Sequence, residues 1–297
     1  MNARRNTVRR RSGKLSIARL FARCLWGWGV LLLCAGSLAA QTAVRLQGND
    51  AGRKVSLPSE LYRPRGGERS PAVAIFHGCG GPGQNTARMG ALLASWGYVA
   101  LVVDSFAGRG LKDVCGRNWP GQKDAERRAA DIDASLRWLR EQNFVDGGRV
   151  AFMGYSYGGG VAMLRAFSSA SGGPSFPAAA AILVYPDCGL ADALGRDLRA
   201  GQPTMFALAE LDDWTPVAQC QAVIDRVSAG RGLIETHVYE GAYHSFDALG
   251  LPVRYLAGVG NRSKPGGCCG AHYGANEGAW KAFTIDLRDF LSRTLHS

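Results

Sequence analysis

Residues 147–167 read GGRVAFMGYSYGGGVAMLRAF. The apolar run Val150–Met153 stops at Gly154-Tyr155-Ser156-Tyr157-Gly158, and a helix-like stretch follows two more glycines, Gly159 and Gly160. A serine set between glycines where a strand turns into a helix has two readings. Either Ser156 is a nucleophile raised on a strained turn, or the glycines form a tight corner around an ordinary serine. In a chain with 40 glycines the G-x-S-x-G pattern decides little by itself. Its surroundings decide more.

Outward from this stretch, the chain alternates. Strand-like runs fall at Ala72–Phe76, Tyr98–Val103, Val150–Met153, Ala178–Tyr185, Thr204–Leu208 and Ile234–Tyr239. Helix-like runs fall at Thr86–Ser95, Lys123–Glu141, Gly159–Ser169, Val217–Ala229 and Ala279–Leu295. An earlier strand pair, Val55–Leu57 and Glu60–Arg63, is interrupted by Pro58. Most of these runs are apolar without polar alternation, as in a sheet covered on both faces. Strand and helix at this spacing imply an α/β fold: one doubly wound, mostly parallel sheet with right-handed crossovers. A single domain over residues 41–297 suffices.

Ligands of such sheets bind beyond the carboxyl ends of the strands. Those ends carry HGCGGPG after Phe76, Asp104-Ser105, GYSYG, PDC after Tyr185, AELDDWTP and EGAYHSF. A serine, aspartates and a histidine therefore converge on one edge. A serine hydroxyl needs a base, and the base needs an orienting carboxylate. Of five histidines only His244 lies just past the last strand. His237 is inside that strand, His77 precedes a glycine turn, His272 lies in a glycine-rich loop and His296 is terminal. Asp212 and Asp213 follow the preceding strand and Asp187 is the outside candidate; a turn-and-cap role before Pro216 would also favour Asp at 212 and 213. The order Ser156, Asp212, His244 is that of α/β hydrolases rather than of chymotrypsin-like or subtilisin-like enzymes.

From Ala72 to Leu295 the chain resembles the dienelactone hydrolase family of the α/β-hydrolase superfamily. The resemblance rests on FHGCGG, DSFAGRG, GYSYGGG, YPDC, ELDDWTP and GAYHSFD. It implies an enzyme, a carboxylic ester hydrolase. The family's acid falls in G-x-x-D-x-x-x-P; here Ala209 replaces the glycine, and the carry-over falls on Asp212 ahead of Pro216. The founding enzymes use a cysteine nucleophile where this chain has Ser156, which favours an ordinary serine esterase over ring opening of a dienelactone. The arginine those enzymes carry soon after the histidine is absent from HSFDALGLP. Arg109 in SFAGRG is the residue left to bind an anionic substrate; its other reading is a solvated loop residue. An oxyanion hole would use the backbone N–H of Tyr157 and of Cys79. No cofactor is implied, and the partner is a small-molecule ester or lactone.

Two rivals compete. Gly78-Cys79-Gly80-Gly81-Pro82-Gly83 is a formal G-x-G-x-x-G after a strand, with Asp104 ending the next, which is the fingerprint of a nicotinamide oxidoreductase. Against it, the helix starts at Asn85 or Thr86, too late to place a phosphate at its N-terminus. A hydrolase fold serving only as a ligand-binding module is the second rival, and a complete triad speaks against it. Cys268, Cys269 and His272 offer three metal ligands in a flexible loop, too few for a structural site. The stretch Leu249–Gly278 either lies over the site or is a surface loop.

Composition closes off other classes. The formal charge is +11, but residues 1–40 hold eight Lys/Arg and no acid, and removing those eight leaves +3 on the rest. That excludes a nucleic-acid-binding reading. The same forty residues read as an export leader: a basic start, the apolar stretch Leu25–Leu33, then small residues in CAGSLAAQ. The location implied is periplasmic or secreted, with membrane contact only through an uncleaved leader. Six cysteines follow the leader, an even number that suits an oxidising compartment. Adjacent strand ends favour bridges Cys79–Cys115 and Cys188–Cys220; Cys268 and Cys269 are neighbours whose joining would be strained, and stay unassigned.

Overall fold

The computed structural model describes residues 40–66, 68–116, 121–169, 177–193 and 198–296. The leader read over residues 1–40 lies, apart from Ala40, outside them. Eight strands form one sheet: β1 (Ala40–Asp50), β2 (Arg53–Arg63), β3 (Ser70–Phe76), β4 (Val99–Val103), β5 (Val145–Tyr155), β6 (Ala181–Val184), β7 (Thr204–Ala209) and β8 (Ile234–Tyr239). Their order is β1-β2-β4-β3-β5-β6-β7-β8. β2 pairs antiparallel with both β1 and β4, and β4, β3, β5, β6, β7 and β8 run parallel to one another.

The first two strands correct the sequence reading. β1 is a full strand, and β2 runs unbroken through Pro58. The proline is tolerated because its carbonyl, which accepts from Asp104 N–H at 2.9 Å, faces β4, whereas the β2–β4 ladder begins only at Ser59. The N–H that Pro58 lacks would have pointed past the end of that ladder.

Five helices cover the sheet: α1 (Gln84–Ser95), α2 (Gln122–Glu141), α3 (Tyr157–Ala166), α4 (Val217–Asp225) and α5 (Glu277–Leu295). Met89 and Leu93 of α1 and Phe283, Leu287 and Leu291 of α5 join Val73, Ile75, Ala151 and Met153 in one core. Ile132 and Leu136 of α2, Val161 and Met163 of α3 and Val223 of α4 join Ala74, Phe76, Val150 and Phe152 in the other. Alternate residues of β3 and β5 thus feed opposite layers, which is why those strands are apolar throughout. At the carboxyl edge Phe76 pairs with both Val103 and Gly154, and Tyr155 with Val184, so the loops after β3, β4, β5 and β6 leave the sheet side by side.

The two expected bridges, Cys79–Cys115 and Cys188–Cys220, are present. Cys268 and Cys269, left unassigned from sequence, are joined to each other as a vicinal pair, the other four cysteines among the described residues being paired in the first two bridges. Among the described residues no helix is long and apolar enough to cross a membrane.

Candidate active site

β5 ends at Tyr155 and α3 starts at Tyr157, leaving Ser156 alone to make the turn. Its backbone sits at φ 55°, ψ −121°, a conformation an L-residue adopts only when its surroundings impose it. They do: Ser156 N–H donates to Val184 O at 2.9 Å, and Ser156 O accepts from Gly160 and Asp187 N–H, each at 2.9 Å. Gly158 makes the turn fit, since a β-carbon there would collide with the carbonyl of His77.

The strained turn lifts Ser156 Oγ to 2.9 Å from His244 Nε2. His244 Nδ1 lies 2.7 Å from Asp212 Oδ2. Asp212 receives more donors than the imidazole: Trp214 and Thr215 N–H donate to its Oδ1 at 2.9 and 2.8 Å, and Thr215 Oγ–H to its Oδ2 at 2.9 Å. With these donors on both carboxylate oxygens, Asp212 is the acceptor of its contact with His244 and Nδ1–H the donor. Nε2 is then the acceptor for the Ser156 hydroxyl. The His244 ring is 1% exposed and packs against Tyr185 and Trp214 at centroid distances of 4.7 and 4.8 Å.

Residues 57–290 match the model of the dienelactone hydrolase family. The chain belongs to that family. No curated relative matches the chain at a significant level. Among solved structures, an alpha/beta hydrolase, GrgF, from a Penicillium species is 14% identical, with 87% of this chain and 100% of that chain covered and a TM-score of 0.60. Esterase 2 of Thermogutta terrifontis, phosphorylated by paraoxon, is 18% identical over 84% of this chain and 94% of that one, TM-score 0.54. A dienelactone hydrolase-like promiscuous phosphotriesterase from metagenomic libraries is 19% identical over 86% and 99%, TM-score 0.55. At these identities the likeness establishes the fold. The family is one of hydrolases, and the chain is a hydrolase in that sense.

A cavity of about 230 Å³ opens onto Ser156. Gly78 and Cys79 form one wall, Tyr155, Tyr185 and Trp214 another, and Leu256 and Tyr273 the roof. The roof settles the question of Leu249–Gly278: it lies over the site. Its strands Arg254–Leu256 and Ala271–Tyr273 pair antiparallel, and Gly274 N–H donates to His244 O at 3.0 Å. Gly78 touches the nucleophile so closely that a β-carbon there would lie 3.3 Å from Ser156 Cβ. Tyr157, first residue of α3, has an N–H with no acceptor inside its helix.

Asp213, the alternative acid, turns the other way. Its carboxylate accepts from His272 N–H at 2.7 Å and pairs with His272 Nδ1 at 2.9 Å, so it anchors the roof. Asp187 pairs with Arg262 at 3.1 Å. Arg109 is corrected on both readings. It does not line the Ser156 cavity, and it is no solvated loop residue: its buried guanidinium meets both oxygens of Asp131 at 2.9 and 3.0 Å. The dinucleotide reading also fails on geometry. The helix start does not decide it, because α1 begins at Gln84 directly after Gly83, earlier than the sequence suggested; the Asp104 carboxylate does, being taken by the N–H groups of Phe106 and Ala107 at 2.8 and 2.9 Å.

Sequence reasoning missed several contributors. Thr215 fixes Asp212, Trp214 backs the imidazole and donates to Gly260 O at 2.8 Å, and Asn261 ties the roof to Asp213 O at 2.8 Å. Thr215 and Trp214 sit inside ELDDWTP and could have been singled out there; Asn261 lies 48 residues from its partner and carried no local signal.

Proposed function

We propose that the chain is a serine esterase acting on a small carboxylic ester or lactone. The observation that carries this reading is the hydrogen-bonded series from Ser156 Oγ through His244 to a fully solvated-by-protein Asp212 carboxylate. His244 Nε2 takes the Ser156 proton as Oγ attacks the carbonyl carbon, and Asp212 stabilises the imidazolium. The N–H groups of Cys79 and Tyr157 are the donors best placed for the oxyanion: one borders the cavity, the other opens α3 directly after the nucleophile. His244 then gives the proton to the leaving alcohol, leaving an acyl-enzyme on Ser156. Water, deprotonated by the same imidazole, releases the carboxylic acid and restores the hydroxyl.

The tight aromatic cavity supports a short acyl group or compact lactone. Two bridges joining residues 36 and 32 apart support export to an oxidising compartment, periplasmic or extracellular. The test is hydrolysis of p-nitrophenyl esters of graded acyl length, beside Ser156→Ala and a fluorophosphonate probe. Turnover highest with acetate or butyrate esters, abolished by Ser156→Ala, and a single label at Ser156 are expected. Labelling that survives Ser156→Ala rejects the nucleophile, and a protein with neither turnover nor label is a binding module.

A further inference from the structure

A second cavity, of about 330 Å³, lies on the other side of the loop that carries Cys115. Val114 borders this cavity and Cys115 borders the Ser156 cavity, so the Cys79–Cys115 region separates the two. Tyr157 reaches both: its backbone opens α3 beside Ser156, and its side chain forms part of the second cavity's wall.

Three arginines line the second cavity, and two of them have carboxylate partners. Arg109 is held by Asp131 as described, and Arg127 lies 3.4 Å from Asp124 and 3.6 Å from Asp50. Arg128 has none. Its residue is 3% exposed, and it donates through Nη2 to His77 O at 2.7 Å. Among the described residues its Nε and Nη1 are buried without an acceptor. The rings of Phe106 and Tyr157, 5.0 and 4.9 Å from Cζ, moderate the charge without neutralising it. Burial pushes the guanidinium down to about 10, which leaves it cationic at neutral pH. A buried guanidinium with two unsatisfied N–H groups is costly, and a ligand that brings acceptor oxygens would supply what the described residues do not.

We propose that this second cavity binds a small monocarboxylate with an apolar body, its carboxylate seated against the Arg128 guanidinium. A carboxylate brings two acceptor oxygens to the Nε and Nη1 groups for a single added charge. Asp50 and Asp124 on the wall would repel the second charge of a phosphate dianion. Phe106, Leu111 and Val114 offer the apolar body a dry surface. Nε and Nη1 are shut off from water, so the carboxylate seats with a movement of the wall; Leu111, 41% exposed, is the apolar side chain of the lining that faces solvent.

The test is calorimetric titration of the Ser156→Ala protein with butyrate and benzoate at pH 7 and low salt, with inorganic phosphate as the contrast. One-to-one binding of the carboxylates, at least tenfold tighter than phosphate, is expected. Arg128→Met should weaken it at least tenfold, with folding checked by circular dichroism. Leu111→Trp, which fills the mouth and touches neither Arg128 nor Ser156, should do the same. The site is refuted by an absence of carboxylate binding, by phosphate binding as tightly, or by binding that Leu111→Trp leaves unchanged. That last outcome would move the ligand to the Ser156 cavity. If Arg128→Met does not fold, Leu111→Trp alone decides.

Discussion

Asp212 and Asp213, neighbours in the chain, send their carboxylates to different histidines: Asp212 to His244 at 2.7 Å and Asp213 to His272 at 2.9 Å. One faces the nucleophile and the other faces the roof. Asp212→Asn should therefore lower kcat by about 10⁴, the scale reached when a histidine loses its orienting carboxylate. Asp213→Asn should lower kcat less than tenfold while raising KM and exposing residues 249–278 to limited proteolysis. Steady-state kinetics on the two variants check this, and the reverse ranking would move the acid by one residue.

Gly78 sets how near the β3 loop comes to the nucleophile. A β-carbon there would stand 3.3 Å from Ser156 Cβ and 3.7 Å from its Oγ, so Gly78→Ala is accommodated only by a shift at the reacting group. Turnover should fall by about 10², since small misplacements at a reacting centre are that costly. The thermal midpoint should stay close to that of the parent. A variant with full activity would show that the loop does not contribute an oxyanion donor.

His77 is completely buried, with Nε2 accepting from Ser105 N–H at 3.2 Å. Burial first, and the neighbouring Arg128 charge second, hold its imidazole well below the ordinary value of 6.5. Between that lowered value and 6.5 the unfolded chain binds a proton that the folded chain does not. The contribution of His77 to stability is thus complete above about pH 6.5 and is lost as pH falls toward the lowered value. Denaturant titrations between pH 7 and 5 should show stability declining more steeply for the parent than for His77→Gln, by up to about one proton's worth of slope. Equal slopes would mean that the histidine is already charged in the native protein.

Cys188 and Cys220 close a loop of 32 residues that contains β7 and the Asp212 turn. Replacing both with alanine should cost about 3–4 kcal/mol by urea unfolding, on the chain-entropy scale for such a loop. Non-reducing peptide mapping of secreted protein should recover this bridge and Cys79–Cys115. Free thiols at these positions would remove the support for export.

The core of the fold was legible wherever an apolar run stands between turn residues; the strand read as Thr204–Leu208 is Thr204–Ala209, buried throughout. It was not legible where tertiary pairing decides. The helix read to Ser169 stops at Ala166, because Phe167–Ser169 pairs with Leu198–Ala200. The helix read to Ala229 stops at Asp225, because Val227–Ala229 pairs with that same short strand. Ser156, Asp212 and His244 could be picked out together because each directly follows a strand of one parallel sheet. The choice between Asp212 and Asp213 could not be made on local pattern, since it depends on which way each side chain leaves one turn. Arg109 was misread for a related reason: its partner Asp131 lies 22 residues away on a helix, and sequence does not reveal that the two meet.

Cys79 and Cys115 also decide where such a chain can be made. The bridge ties the loop beside Ser156 to a backbone segment that is hydrogen-bonded to the roof, for Val114 N–H donates to Cys79 O at 2.9 Å and Cys115 O accepts from Gly260 N–H at 2.9 Å. Material produced in a reducing cytoplasm would have the right residues and the wrong fastening. Its specific activity, before and after air oxidation, would then report the host's redox state as much as the protein's own chemistry.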